Sequence, residues 1–170
     1  MKGLGRVTGV AGLSILALAS IAFASNGASQ KAAGKSLVVI KQRGNEQQST
    51  DGRFRGRFSL LLNGVIEDSG LTVITPNLGT AKPVDGQPQA PIFGYNNLSS
   101  KKGTLNIFFR GVSIVVANID PTKDPYESEY GTWQIQRGTG IYKGWKGGGR
   151  WLKVSIPGAQ NFEWDGYVTH

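Results

Sequence analysis

Residues 131–151, GTWQIQRGTGIYKGWKGGGRW, constrain this chain more than any other stretch. Trp133, Ile135, Tyr142 and Trp145 supply bulk for a core, while seven glycines interrupt them. Glycine reaches positive φ and lets neighbouring strands approach where a sheet bends. The stretch therefore predicts a strand with Trp133 facing inward, a glycine-punctuated turn or bulge, and a second strand.

Short runs of alternating apolar residues recur along the rest of the chain. Strands are expected over 36–43, 55–63, 64–67, 70–75, 103–110, 112–119, 131–137, 149–156 and 162–169. Turn residues separate them at Asn63-Gly64, Asp68-Ser69-Gly70 and Arg110-Gly111. Beyond the N-terminal segment no stretch has a helical period, so an all-β antiparallel barrel or sandwich is expected. Residues 76–100 hold Pro76, Pro83, Pro88 and Pro91 and are expected to form a long irregular connection. Phe93 and Tyr95 would anchor it, either over a cavity or simply on the surface.

The string Gly131-Thr-Trp-Gln-Ile-Gln-Arg-Gly-Thr-Gly-Ile-Tyr-Lys-Gly-Trp-Lys-Gly-Gly-Gly149 resembles a hairpin of the allene oxide cyclase and dirigent-type β-barrel group. The match is to its pattern G-x-W-x-I-x-x-G-T-G-x-Y-x-G-x-x-G-x-G, above all in the small secreted bacterial members. Residues 58–70, 102–110 and 162–168 fit the same pattern, so the resemblance spans most of the chain after about residue 50. It implies closure into an antiparallel meander barrel of about eight strands. A shared fold does not fix activity, and the matched glycines, Trp133 and Tyr142 have a structural character.

The N-terminus has a different logic. Lys2 and Arg6 precede an apolar run over 10–23, and Ala22-Phe23-Ala24 has the small-x-small form of a signal-peptidase site. A secretory signal peptide over 1–24 is expected, with export to the periplasm or the medium. A flexible leader over 25–35 and a single barrel domain over 36–170 follow. Removing 24 of the 170 residues leaves 146, enough for one domain with its own core. The chain has no cysteine, so an exported form would depend on its core and sheet hydrogen bonds for stability.

Loss of Lys2 and Arg6 lowers the formal net charge from +8 to +6. Arg53, Arg55 and Arg57 alternate with Phe54, Gly56 and Phe58, so an extended strand puts the three arginines on one face. That stripe is either a solvated outer face or a contact for an anionic envelope surface.

Much chemistry is excluded by composition. The one histidine is the last residue, His170, and cysteine is absent, which removes the usual nucleophilic triads and histidine metal sites. The loop expected over 120–129 gathers four carboxylates without EF-hand spacing, so no metal and no cofactor are expected. Gly138, Gly140 and Gly144 lack the phosphate-loop spacing and the helix such a loop requires. Basic and aromatic residues interleave over 142–151, but barrel packing accounts for them better than nucleic acid, which is not an expected partner. Adjacent Glu67 and Asp68 would point to opposite faces of a strand, leaving only one inside.

Two functions remain. One is a non-catalytic exported barrel that binds a small apolar or amphipathic ligand, or an envelope component, in its lumen or at its mouth. The other is a cyclase or isomerase that shapes a reactive substrate in the cavity, as the resemblance implies. For either, the inward-pointing ligand-binding candidates are Glu67, Asn106, Arg110, Arg137 and Tyr142. A homo-oligomer is compatible with both.

Overall fold

The computed structural model describes residues 34–43, 50–116, 122, 126–156 and 159–170. All belong to the compact unit Lys31–His170. The expected signal peptide, the leader as far as residue 33 and most of the 120–125 segment lie outside the described residues.

Nine strands follow one another: β1 (Ser36–Arg43), β2 (Phe54–Leu62), β3 (Val65–Leu78), β4 (Lys82–Val84), β5 (Gln87–Ser99), β6 (Thr104–Val116), β7 (Tyr126–Gly138), β8 (Lys146–Ile156) and β9 (Ala159–Thr169). Apart from a 3-10 turn at Gly140–Tyr142, no helix occurs among the described residues. The sheet order is β3-β2-β1-β9-β8-β7-β6-β5, and β3 pairs with β5 to close it. The result is the expected antiparallel barrel of eight strands, with β4 lying outside it against β5.

Strand periodicity decides what the barrel encloses. Alternate residues point inward, so Val38, Ile40 and Gln42 of β1 face the interior, as do Phe58 and Leu60 of β2 and Leu105, Ile107 and Phe109 of β6. The arginine stripe obeys the same parity. Phe54 and Phe58 turn inward while Arg55 and Arg57 are exposed, and Arg53 and Arg55 both pair with Asp51.

The connection expected over 76–100 is instead a hairpin. β3 continues to Leu78, and β4 joins β5 through Asp85 and Gly86, both at positive φ. An Asp-Gly pair is the usual two-residue hairpin turn, and it outweighs the prolines around it. Pro83 is compatible with a strand because β4 has an unpaired edge, which Lys82 and Pro83 also protect against association. Phe93 and Tyr95 point outward and cover no cavity mouth.

Two expected turns lie inside strands. Asp68-Ser69-Gly70 belongs to β3, where pairing jumps from Ile66 to Asp68 and leaves Glu67 as the extra residue of a β-bulge. Arg110-Gly111 belongs to β6, where Gly111 faces Gly131 of β7. A Cβ on Gly111 would lie 2.0 Å from the Tyr130 carbonyl oxygen, so this glycine permits close strand approach and makes no turn. By contrast, Asn63 and Gly64 form the expected two-residue turn, with φ of 50° and 85°.

Candidate functional site

Aromatic rings occupy the middle of the barrel. Trp151 and Trp164 stack with centroids 5.5 Å apart, and Phe109 meets both edge-on at 5.2 and 5.5 Å. Trp133 is buried, and its Nε1–H donates to the carbonyls of Arg150 and Asp165, across the place where Gly149 faces Gly166. Trp151 Nε1–H likewise donates to the Arg110 carbonyl, across the Gly111–Gly131 pair. Beside the rings runs a buried polar chain. Trp164 Nε1–H donates to Gln42 Oε1, Gln42 Nε2 to Thr72, and Thr72 Oγ1 to Asn96 Oδ1.

One end of the barrel is charged. On neighbouring strands the inward row Phe162, Lys153, Glu129, Ser113 runs in register, and the next row outward is Ser155, Glu127, Val115. Lys153 Nζ lies 2.5 Å from Glu127 and 3.5 Å from Glu129. It also sits 5.4 Å from the ring centroids of both Phe54 and Phe162. Ser155 Oγ is buried and has no hydrogen-bond partner. Burial raises the carboxyl of Glu129, and Glu127 adds to that rise against the opposing pull of Lys153, so it is pushed up to about 7.

A raised carboxyl binds its proton more tightly in the folded chain than in the unfolded one. The stability it contributes is therefore complete below its ordinary value of 4.5 and is lost as pH rises through about 7. Between pH 4.5 and pH 7.5 the unfolding free energy is expected to fall by on the order of 3 kcal/mol from this residue, and the urea midpoint with it. Glu129→Gln should remove the slope. A wild-type midpoint that stays level across that range would contradict the assignment.

The opposite end is held by a neutral hydroxyl and an ionised carboxylate. Asp68 accepts hydrogen bonds from Tyr142 Oη at 2.5 Å, from Ser100 Oγ at 2.6 Å and from the Ser69 N–H at 2.8 Å. Burial alone would raise Asp68, but these donors together with nearby Lys102 outweigh it and hold the carboxyl below its ordinary value. Burial and the facing Asp68 drive Tyr142 upward, so its hydroxyl stays protonated and donates. The cluster ties the 3-10 turn before β8 to β3 and to the β5–β6 turn.

Of the five candidates expected to point inward, Tyr142 alone is buried in the interior. Glu67 is exposed at the bulge and pairs with Lys102 at 3.3 Å, while its neighbour Asp68 takes the inward position. Asn106 lies on the outer face and donates to Asn97 at 2.5 Å. Arg137 is exposed. Arg110 is also on the outside, in a shallow concavity of about 590 Å³ on β5, β6 and β7. Phe93, Phe108, Val112, Tyr130 and Thr132 form its walls. Among the described residues no carboxylate pairs with the Arg110 guanidinium.

Lys153, Glu129 and Ser155 were not among the candidates, although parity places them. Counting back by twos from an inward Trp133 reaches Gly131, Glu129 and Glu127, and counting forward from Trp151 reaches Lys153 and Ser155. Assigning 120–129 to a loop hid the first series. Within the described residues no group of three or more potential metal ligands gathers. No protein-family model matches the chain, and no match to it is found among the curated proteins or the solved structures.

Proposed function

We propose that this protein is an exported, non-catalytic barrel that binds a small amphipathic molecule on its outer face. One observation carries the reading: a concavity of about 590 Å³ on β5–β7 with apolar walls holds a single guanidinium, that of Arg110. Phe93 and Tyr130 leave much of their ring surface open to the hydrocarbon part of a ligand. Arg110 would receive a carboxylate, sulfate or phosphate head with charge-assisted hydrogen bonds.

The aromatic rings along the axis favour binding outside the barrel over a cyclase that encloses its substrate. Export rests on the basic, apolar and small-residue succession of residues 1–24. The exposed Arg57, beside Arg53 and Arg55, would add attraction to an anionic envelope surface.

Native mass spectrometry of the protein from the exported fraction of its host should give a chain beginning at Ser25 with an amphiphile retained. In calorimetry, dodecanoate should bind the wild type about tenfold more tightly than Arg110→Ala, the equivalent of one lost charge-assisted bond. Equal affinities in the two proteins would overturn the groove, an intact Met1 in the exported fraction would overturn cleavage after Ala24, and absence of the protein from that fraction would overturn export.

A further inference from the structure

The charged end of the barrel carries a second site, separate from the outer groove. We propose that the mouth bounded by Glu127, Glu129, Lys153 and Ser155 binds a small organic cation with N–H donors, such as a primary alkylammonium.

Charge balance is the first ground. Once Glu129 ionises, above about pH 7, it and Glu127 in the next row share the one ammonium of Lys153, and the side chains of Lys153 and Glu129 are only 4% and 7% exposed. Burying unequal charge is costly, and a second cation would neutralise the excess. Lys153 cannot satisfy both carboxylates equally, since it lies 2.5 Å from Glu127 and 3.5 Å from Glu129.

The second ground is independent of charge. Ser155 is 7% exposed, its Oγ has no partner, and it stands directly across from Glu127 on the interior face. A buried hydroxyl without a partner is uncommon, because its desolvation is left unoffset. An ammonium N–H placed between Glu127 and Ser155 would supply the missing bond. A cation lacking N–H could not.

An apolar wall is present among the described residues. β3 pairs with β5 only as far as Leu78 and Ile92, whereas β6 and β7 stay paired out to Val116 and Tyr126. The wall therefore rises higher on the β6–β7 side. Inward-facing Val115, 37% exposed, and Phe54 would meet the alkyl part of the ligand. Glu127 is 24% exposed, the most exposed of the four residues that bound the site.

The groups facing Glu129 are Lys153 from β8, Glu127 from β7 and Ser113 from β6. Gln42, Phe54 and Phe162 complete the surroundings from β1, β2 and β9. Lys153 and Glu127 are the charged members among the described residues. Binding must therefore ionise Glu129 and release a proton, which makes affinity depend on pH.

The test is titration of the full chain with n-butylammonium, followed by the side-chain carboxyl carbon resonances of Glu127 and Glu129. Affinity should be about thirtyfold higher at pH 8 than at pH 5.5, the ratio of ionised Glu129 at the two values given a midpoint of about 7. Ser155→Ala should lose about tenfold for n-butylammonium. Tetramethylammonium should bind the wild type no better than n-butylammonium binds Ser155→Ala. Glu129→Gln should abolish the pH dependence; if that variant does not fold, Ser155→Ala, which removes one hydroxyl, still decides. The site is overturned if neither glutamate resonance moves, if affinity is equal at the two pH values, or if tetramethylammonium binds the wild type as tightly as n-butylammonium.

Discussion

Trp133→Ala is expected to cost about 3–5 kcal/mol, the range for truncating a large aromatic in a core. The ring is 4% exposed, and the substitution also leaves the Arg150 and Asp165 carbonyls without the indole donor they share. For a domain of this size the loss corresponds to a fall in melting temperature of roughly 10–15 °C. Thermal and urea denaturation followed by far-ultraviolet circular dichroism would measure it. A midpoint within a degree of wild type would mean that the indole contributes neither packing nor its hydrogen bonds.

Gly138→Val combined with Gly140→Val should be more damaging still, but for two different reasons. Gly138 has no positive φ; a Cβ there would lie 2.2 Å from the Tyr142 carbonyl oxygen, so the objection is steric. Gly140 is at φ +59°, and its Cβ would lie 2.0 Å from the Lys102 carbonyl oxygen, so strain and collision act together. The left-handed conformation alone costs on the order of 1–2 kcal/mol for a residue with a Cβ, and backbone atoms cannot rotate away as side chains do. The double variant is expected in the insoluble fraction. Gly144→Ala supplies the contrast: its φ is +85° with nothing within 4 Å of the added carbon, so it should stay folded and lose only about 1 kcal/mol. If the double variant remained soluble with a wild-type melting temperature, the turn would not be the structural joint described above.

The fold was legible because parity and turn chemistry agree over most of the chain. Asn63-Gly64 and the inward face of Trp133 follow from local rules, and the run of short strands left little choice but a barrel or sandwich. What misled was punctuation. Glycine at Gly111 and Gly70 and proline in 76–100 suggest breaks, yet a closed barrel also needs glycine inside strands where backbones converge. A Cβ on Gly70 would lie 2.2 Å from the Ser99 carbonyl oxygen. Sequence alone does not separate a glycine that turns the chain from one that admits a neighbour.

The site was less legible for a related reason. One extra residue at the Glu67 bulge exchanges the faces of Glu67 and Asp68, and a single displacement of this kind reverses the parity of everything measured across it. Arg110 follows Phe109 on β6, and because Phe109 points in, Arg110 points out. Partners such as Tyr142 and Asp68, 74 residues apart, meet only once the barrel has closed.

That closure joins the first strand to the last. β1 pairs with β9 through eight registered residues, and Trp164 donates to Gln42 over 122 positions of sequence. During synthesis, then, the ring cannot shut until β9 has emerged. A chain shorter by β9 would leave β1 and β8 each with a bare edge, the condition that seeds aggregation. Pairings this distant also slow folding, since loop-closure entropy must be met before the contacts form. A ring that needs β9 to shut stays open until β9 has been made, and under the proposed export that open form is the one a membrane channel would receive.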